Sequence, residues 1–248
     1  QEPQPDQPVG YRIDMAAAKS GTLQPPPGAA APPDVWGFPA KAVRMEFKVG
    51  SRYATVTRTD GSTYQLDLGT SCVFVIAQDD YPVVGTAEGY RTWLIRNYGT
   101  TVGYSSENVV IAPFKGKENT AFYVPFVPVA EAFGVPKENI VWDGEHLAVF
   151  GEYGDVRNYT VLTPGTREAV CRVVGNSPEV ASGSLNFPLF VKDGVPMVGI
   201  DSVSDVAGML FSVAGGSVPG LVNAYDDISF GGWSHENGTA GALCKPRA

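Results

Sequence analysis

The dipeptide Asp-Gly occurs three times, each time between two short apolar or alternating runs, and this punctuation constrains the fold more than any other feature. Both residues tolerate the left-handed backbone that a tight hairpin needs. Around Asp60-Gly61, Ala54, Val56, Tyr64, Leu66 and Leu68 alternate with Thr55, Thr57, Gln65 and Asp67. That period of two predicts a half-buried hairpin. Asp143-Gly144 stands between Ile140-Val141-Trp142 and Leu147-Ala148-Val149-Phe150, and Asp193-Gly194 between Leu189-Phe190-Val191 and Val195 to Val198. The scaffold is therefore expected to be antiparallel β.

Helical signal is thin. Val127 to Phe133 and Ser202 to Ala207 each run for a turn or two before a glycine, Gly134 and Gly208. Residues 72–114 hold further strand-like runs (Val73 to Ala77, Trp93 to Ile95, Val109 to Ile111) and are expected to form an insertion. The fold class expected is α+β, mostly antiparallel β with two short helices.

Nine of the 20 prolines fall in the first forty residues (Pro3, Pro5, Pro8, Pro25, Pro26, Pro27, Pro32, Pro33 and Pro39). Residues 1–43 are thus expected to be an extended arm that cannot fold alone. To be ordered it must lie against its own body or a neighbour, with Pro25, Pro26, Pro27, Trp36 and Phe38 as anchors. Residues 214–248 form a Gly-rich C-terminal extension. The numbering opens at Gln1 with no basic or apolar leader, as in an exported chain after leader removal.

Composition excludes several classes of function. A formal charge of -8 and a pI near 4.8 oppose nucleic-acid and anionic-membrane partners. The longest apolar runs, such as Cys72 to Ala77 and Ala121 to Ala130, are too short to span a bilayer. His146 and His235 cannot build a transition-metal site alone. No G-x-S-x-G, Walker or dinucleotide pattern occurs, and no acid, base and nucleophile can be named together. The chain is read as non-enzymatic and without a cofactor. Asp79-Asp80 and Asp226-Asp227 are candidate calcium ligands, although no calcium-loop spacing surrounds them and a hydrated turn is the commoner setting of such pairs. Asn158 and Asn237 stand in N-x-T sequons.

The three cysteines lie far apart. Cys72 and Cys171 either pair or stay buried as small hydrophobes, and Cys244 is the candidate for a bond to a second chain. Aromatic residues either fill strand faces or form a carbohydrate platform. Trp142 and Phe150 are assigned to the core, while Tyr90, Trp93, Tyr98 and Tyr104 are left open between the two.

Residues 123–134 align without a gap with residues 197–208, and a hairpin-like stretch precedes each (46–68 and 156–174). The chain reads as two units, 44–151 and 152–213. Tyr123-Val124-Pro125-Phe126, Ala130-Glu131-Ala132-Phe133-Gly134 and Val141-Trp142-Asp143 together resemble the copper amine oxidase N-terminal, or stalk, domain family of secreted bacterial surface proteins. Where that family carries Arg after the Val-Pro-apolar triplet, this chain has Val127 and Asp201. The resemblance implies an extracellular module without the oxidase's copper or quinone. Two functions follow as expectations: a structural subunit that assembles with copies of itself into a filament or surface layer through its arm, or a module that binds cell wall or polysaccharide.

Overall fold

The computed structural model describes residues 10–33, 37–77, 81, 84–113, 120–153, 156–173, 179–185, 187–200, 212–213, 216–217, 225–234 and 236–248. In chain order these form α1 (Met15–Ser20), β1 (Ala42–Lys48), β2 (Tyr53–Arg58), β3 (Thr63–Asp67), β4 (Val73–Ile76), α2 (Ala87–Val102), β5 (Val109–Ile111), β6 (Thr120–Pro125) and α3 (Phe126–Phe133). A 3-10 turn (Lys137–Asn139) leads to β7 (Ile140–Trp142), β8 (Leu147–Tyr153), β9 (Val156–Leu162), β10 (Glu168–Val173), β11 (Glu179–Ser184), β12 (Phe190–Lys192) and β13 (Val195–Gly199). Then follow β14 (Ser212–Val213), β15 (Gly216–Ser217), β16 (Tyr225–Ser234) and β17 (Thr239–Pro246).

The fold is α+β and mostly antiparallel, and each Asp-Gly pair sits in the turn of a hairpin: β2–β3, β7–β8 and β12–β13. The expected helix at 127–133 is α3, whereas the one at 202–207 lies outside the described residues. The insertion differs from expectation. Its middle run is not a strand but the 16-residue helix α2, which carries the chain from β4 to its parallel neighbour β5. A parallel pair requires such a crossover.

Two five-stranded sheets share one plan, with orders β16-β17-β1-β2-β3 and β7-β8-β9-β10-β11. In the second of these, β8 pairs antiparallel with its sequence neighbour β9, Tyr153 opposite Val156. At the matching place in the other sheet, β17 pairs with β1 across the length of the chain, Lys48 opposite Thr239 and Arg44 opposite Leu243. Within the Gly-rich C-terminal extension, β16 and β17 pair with each other and complete the first sheet. Tyr225 fixes it: its hydroxyl donates to the Phe133 carbonyl at 2.5 Å and accepts from the Lys41 and Ala42 amides at 3.2 and 3.3 Å. A third sheet, β12-β13-β6-β4-β5, holds the centre. There β13 meets β6 in antiparallel register about the Val124–Val198 pair, with Met197 opposite Pro125 and Gly199 opposite Tyr123.

The main core draws on all three sheets and on both ends of the chain, from Phe38, Met45 and Phe47 through Phe122, Phe126 and Phe133 to Leu162, Cys171 and Cys244. The outer faces of the two five-stranded sheets differ. Arg44, Glu46 and Lys48 face water from β1, whereas β8, β9 and β10 turn Ala148, Phe150, Tyr159, Val161 and Val170 outward into a second apolar cluster.

The N-terminal arm covers that cluster. Ile13, Ala18 and Leu23 are buried in it, and Tyr11 sets its ring edge against Phe150. Helix α1 can form because the Asp14 carboxylate caps the Ala16 and Ala17 amides. The Ile13 amide donates to Asp143 at 2.9 Å, the Tyr159 hydroxyl to the Ala18 carbonyl at 2.6 Å, and Asn139 clasps both polar groups of the Ala30 backbone at 2.8 Å. Full burial of an Ile or Leu side chain contributes about 1.5–3 kcal/mol, so the arm is held by its own body.

Candidate functional site

Helix α2 presents an aromatic ladder. The Thr86 hydroxyl caps the Gly89 amide at 3.0 Å, and Gly103, in left-handed conformation, ends the helix. Within it, Tyr90 and Leu94 lie one turn apart, with Leu94 wholly buried. This anchors the helix and leaves Trp93 facing outward, 37% exposed. A Cβ at Gly99 would approach the Tyr104 carbonyl oxygen to 2.7 Å, so glycine there lets α2 lie close against the segment that carries Tyr104.

Three rings are nearly parallel. Tyr81 stacks on Tyr90 at 4.8 Å and 12°, and Tyr90 on Trp93 at 5.8 Å and 10°. The series then continues edge to face, from Trp93 to Tyr98 at 5.7 Å, Tyr98 to Tyr104 at 6.5 Å, and Tyr104 to the buried Phe74 at 5.9 Å. Each such pair contributes about 0.5–1.5 kcal/mol beyond its buried area. A rigid series thus leads from the core to the surface. Burial, with Tyr98 as a lesser cause, raises the pKa of Tyr90, and burial raises that of Tyr104 further, so both phenols stay neutral.

Polar groups surround Trp93. Thr92, Arg96, Asn97 and Thr100 are exposed on the same helix, and Asn97 is pinned by donating its amide to the Trp93 carbonyl at 2.7 Å. Arg91 donates to the Ser106 carbonyl at 2.8 Å and lies 3.5 Å from Glu88, while its buried Nε has no hydrogen-bond partner among the described residues. An exposed ring with hydrogen-bonding groups beside it can stack on the apolar face of a sugar and bond its hydroxyls.

The other expected sites fare differently. Trp36, Asp79, Asp80 and His235 lie outside the described residues. Phe38, Pro26 and, in part, Pro25 are buried against the chain's own body, with Pro27 exposed. Cys72 and Cys171 do not pair. All three cysteines are buried thiols, and Cys244, at 9% exposure, points into the core rather than toward a second chain. Burial pushes the Cys171 and Cys244 thiols up to about 12 and raises Cys72 as well. Asp226 lies 3.7 Å from Arg247 and Asp227 accepts from Ser229, and no cluster of three metal-ligating side chains forms among the described residues. Trp142 and Phe150 do pack with the apolar clusters, and Asn237 is exposed at a turn.

Sequence reasoning did not anticipate the junction at Lys192, whose ammonium reaches Thr70 at 2.7 Å, Ser71 at 3.3 Å and Asp193 at 3.1 Å. Thr70 and Ser71 lie 122 and 121 positions away in sequence, so no local spacing signals their approach to Lys192. The hydrogen bond from Lys192, and its charge, hold the Asp193 carboxyl below the usual range. Comparison with protein-family models, curated proteins and solved structures found no match.

Proposed function

We propose that this chain is an extracellular, non-enzymatic module that binds a polysaccharide or cell-wall glycan through the ladder on α2, with Trp93 as the stacking ring and Arg96 and Asn97 beside it. The observation that carries this reading is the parallel set Tyr81, Tyr90 and Trp93, ordered from within and opening to solvent at Trp93. Three rigid rings lose little conformational freedom on binding.

The scaffold is read as a duplicated stalk-type unit. The shared plan of the two five-stranded sheets and the central register about Val124 and Val198 support this, because residues 124 and 198 also correspond in the alignment of the two copies. Export is part of the same reading. This reading does not route assembly through the arm, since residues 10–33 and 37–43 have contacts within their own molecule and Cys244 is enclosed.

Affinity electrophoresis through gels containing soluble glycans tests the proposal. The expected result is retardation by at least one neutral polysaccharide, abolished by Trp93→Ala with the melting temperature unchanged. Equal mobility of the two proteins in every gel, or retardation that Trp93→Ala does not alter, overturns it.

A further inference from the structure

A cavity of about 350 Å³ lies between the β2–β3 hairpin, helix α3 and the segment before β1, on residues the ladder does not use. Ala40, Leu66, Pro128 and Ala132 supply its apolar surface, and Lys41, Arg58, Asp60, Tyr64 and Glu131 its polar groups. The Arg58 guanidinium is preorganised: it lies 4.0 Å from the centre of the Tyr64 ring and donates to Ser62 at 3.2 Å. Among the described residues neither Lys41 nor Arg58 is ion-paired, and the half-buried Glu131 carboxylate has neither a hydrogen bond nor an ion pair. Burial raises the Glu131 pKa, opposed by Lys137 and Lys41, and that cost is relieved if a cation enters. Asp60 is committed on one oxygen to the Ser62 amide and hydroxyl.

We infer that this cavity is a binding site for a small zwitterion of the amino-acid class, its carboxylate between Arg58 and Lys41, its ammonium on Glu131, and its side chain on Leu66, Pro128 and Ala132. Uncommitted charges of both signs around one apolar floor match a ligand that carries both charges on a short carbon frame. The volume lies at the lower end of small-molecule sites and suits an amino acid or dipeptide. Arg58 receives a carboxylate through two parallel donors, which Lys41 alone does not offer.

The test is an NMR titration of the full chain, following amide signals, with L-alanine, L-alanyl-L-alanine, and the dipeptide's N-acetyl and C-amide forms. Saturable shifts of the Arg58 to Leu66 and Glu131 to Ala132 amides are expected with alanine if a free amino acid is the ligand, or with the dipeptide alone if a peptide end is. Blocking either charge, or introducing Arg58→Ala or Glu131→Gln, should weaken binding at least tenfold. Lys41→Ala, on an exposed side chain, should weaken it several-fold without affecting folding. The inference is overturned if neither zwitterion gives saturable shifts, if the N-acetyl form binds as well as the free dipeptide, or if all three variants bind like the parent. Trp93→Ala should leave these shifts unchanged, which separates this site from the ladder.

Discussion

At the scale of single residues, one carboxylate ties the start of the arm to the body. Asp143 has a side chain only 3% exposed and accepts from the Ile13 amide at 2.9 Å, the Glu145 amide at 2.8 Å and the His146 amide at 2.7 Å, with His146 Nδ1 3.9 Å away. Burial works to raise its pKa, but the three amides and His146 outweigh burial and hold it below the ordinary value. A lowered folded pKa means that the stabilisation is complete above the unfolded value of about 3.9 and is lost as pH falls through the folded one. Asp143→Asn should cost about 1–2 kcal/mol, and hydrogen exchange at the Ile13 amide should quicken first, both in the variant and in acid. Unchanged exchange at Ile13 would separate the arm from Asp143. Gly238 makes a second case. Its φ is +61°, and a Cβ there would stand 2.7 Å from Val49 Cγ1 and 3.1 Å from Val102 Cβ. Gly238→Ala should therefore lower stability by about 2–4 kcal/mol, read from denaturant unfolding. In the sequence Asp143 is legible as a turn residue, because Asp-Gly is a local signal. Its bond to Ile13 spans 130 positions, and no periodicity carries that.

At the scale of elements, hairpins were the legible part and α2 was not. Trp93, Ile95 and Tyr98 are strand formers by composition, and the helix they occupy buries few residues, so its apolar stripe is weak. Its end signals, Thr86 before it and Gly103 after it, were in plain view. Tyr90, Trp93, Tyr98 and Tyr104 could not be sorted between core and platform until the helix brought their rings together. The arm shows the opposite balance: its proline content announced that it needs a support, and the support is the outward apolar face of β8 to β10. Removing residues 1–33 should uncover Phe150, Tyr159, Val161 and Val170. The expected outcome is a lower melting temperature, binding of a hydrophobic dye and concentration-dependent self-association in light scattering. A truncated chain that stays monomeric and equally stable would mean that the arm's burial contributes little. Cys244 shows how strand position outweighs sequence position. Nearness to the end of the sequence suggested exposure, but β17 is an inner strand of its sheet, and alternation turns Cys244 inward with Ala240 and Ala242.

At the scale of the whole molecule, net charge decides which glycans the ladder can take. A chain with 26 acids against 18 bases repels polyanions at long range, and that repulsion weakens as salt rises. Stacking on Trp93 draws instead on apolar contact and short hydrogen bonds, which salt does not screen. Neutral polysaccharides should therefore retard the chain equally at low and high salt, and Trp93→Ala should remove that retardation at both. Anionic polysaccharides should bind poorly at low salt and no worse at high salt. The opposite dependence, tight binding to a polyanion that salt abolishes, would point to the cations of the molecule, Arg91 and Arg96 on α2 or Lys41 and Arg58 at the cavity, as the contact surface. Substituting each pair by alanine would then show which one carries it. Under the ladder reading neither pair changes the salt dependence of retardation by a neutral glycan, because the ring that stacks is uncharged and so is the glycan.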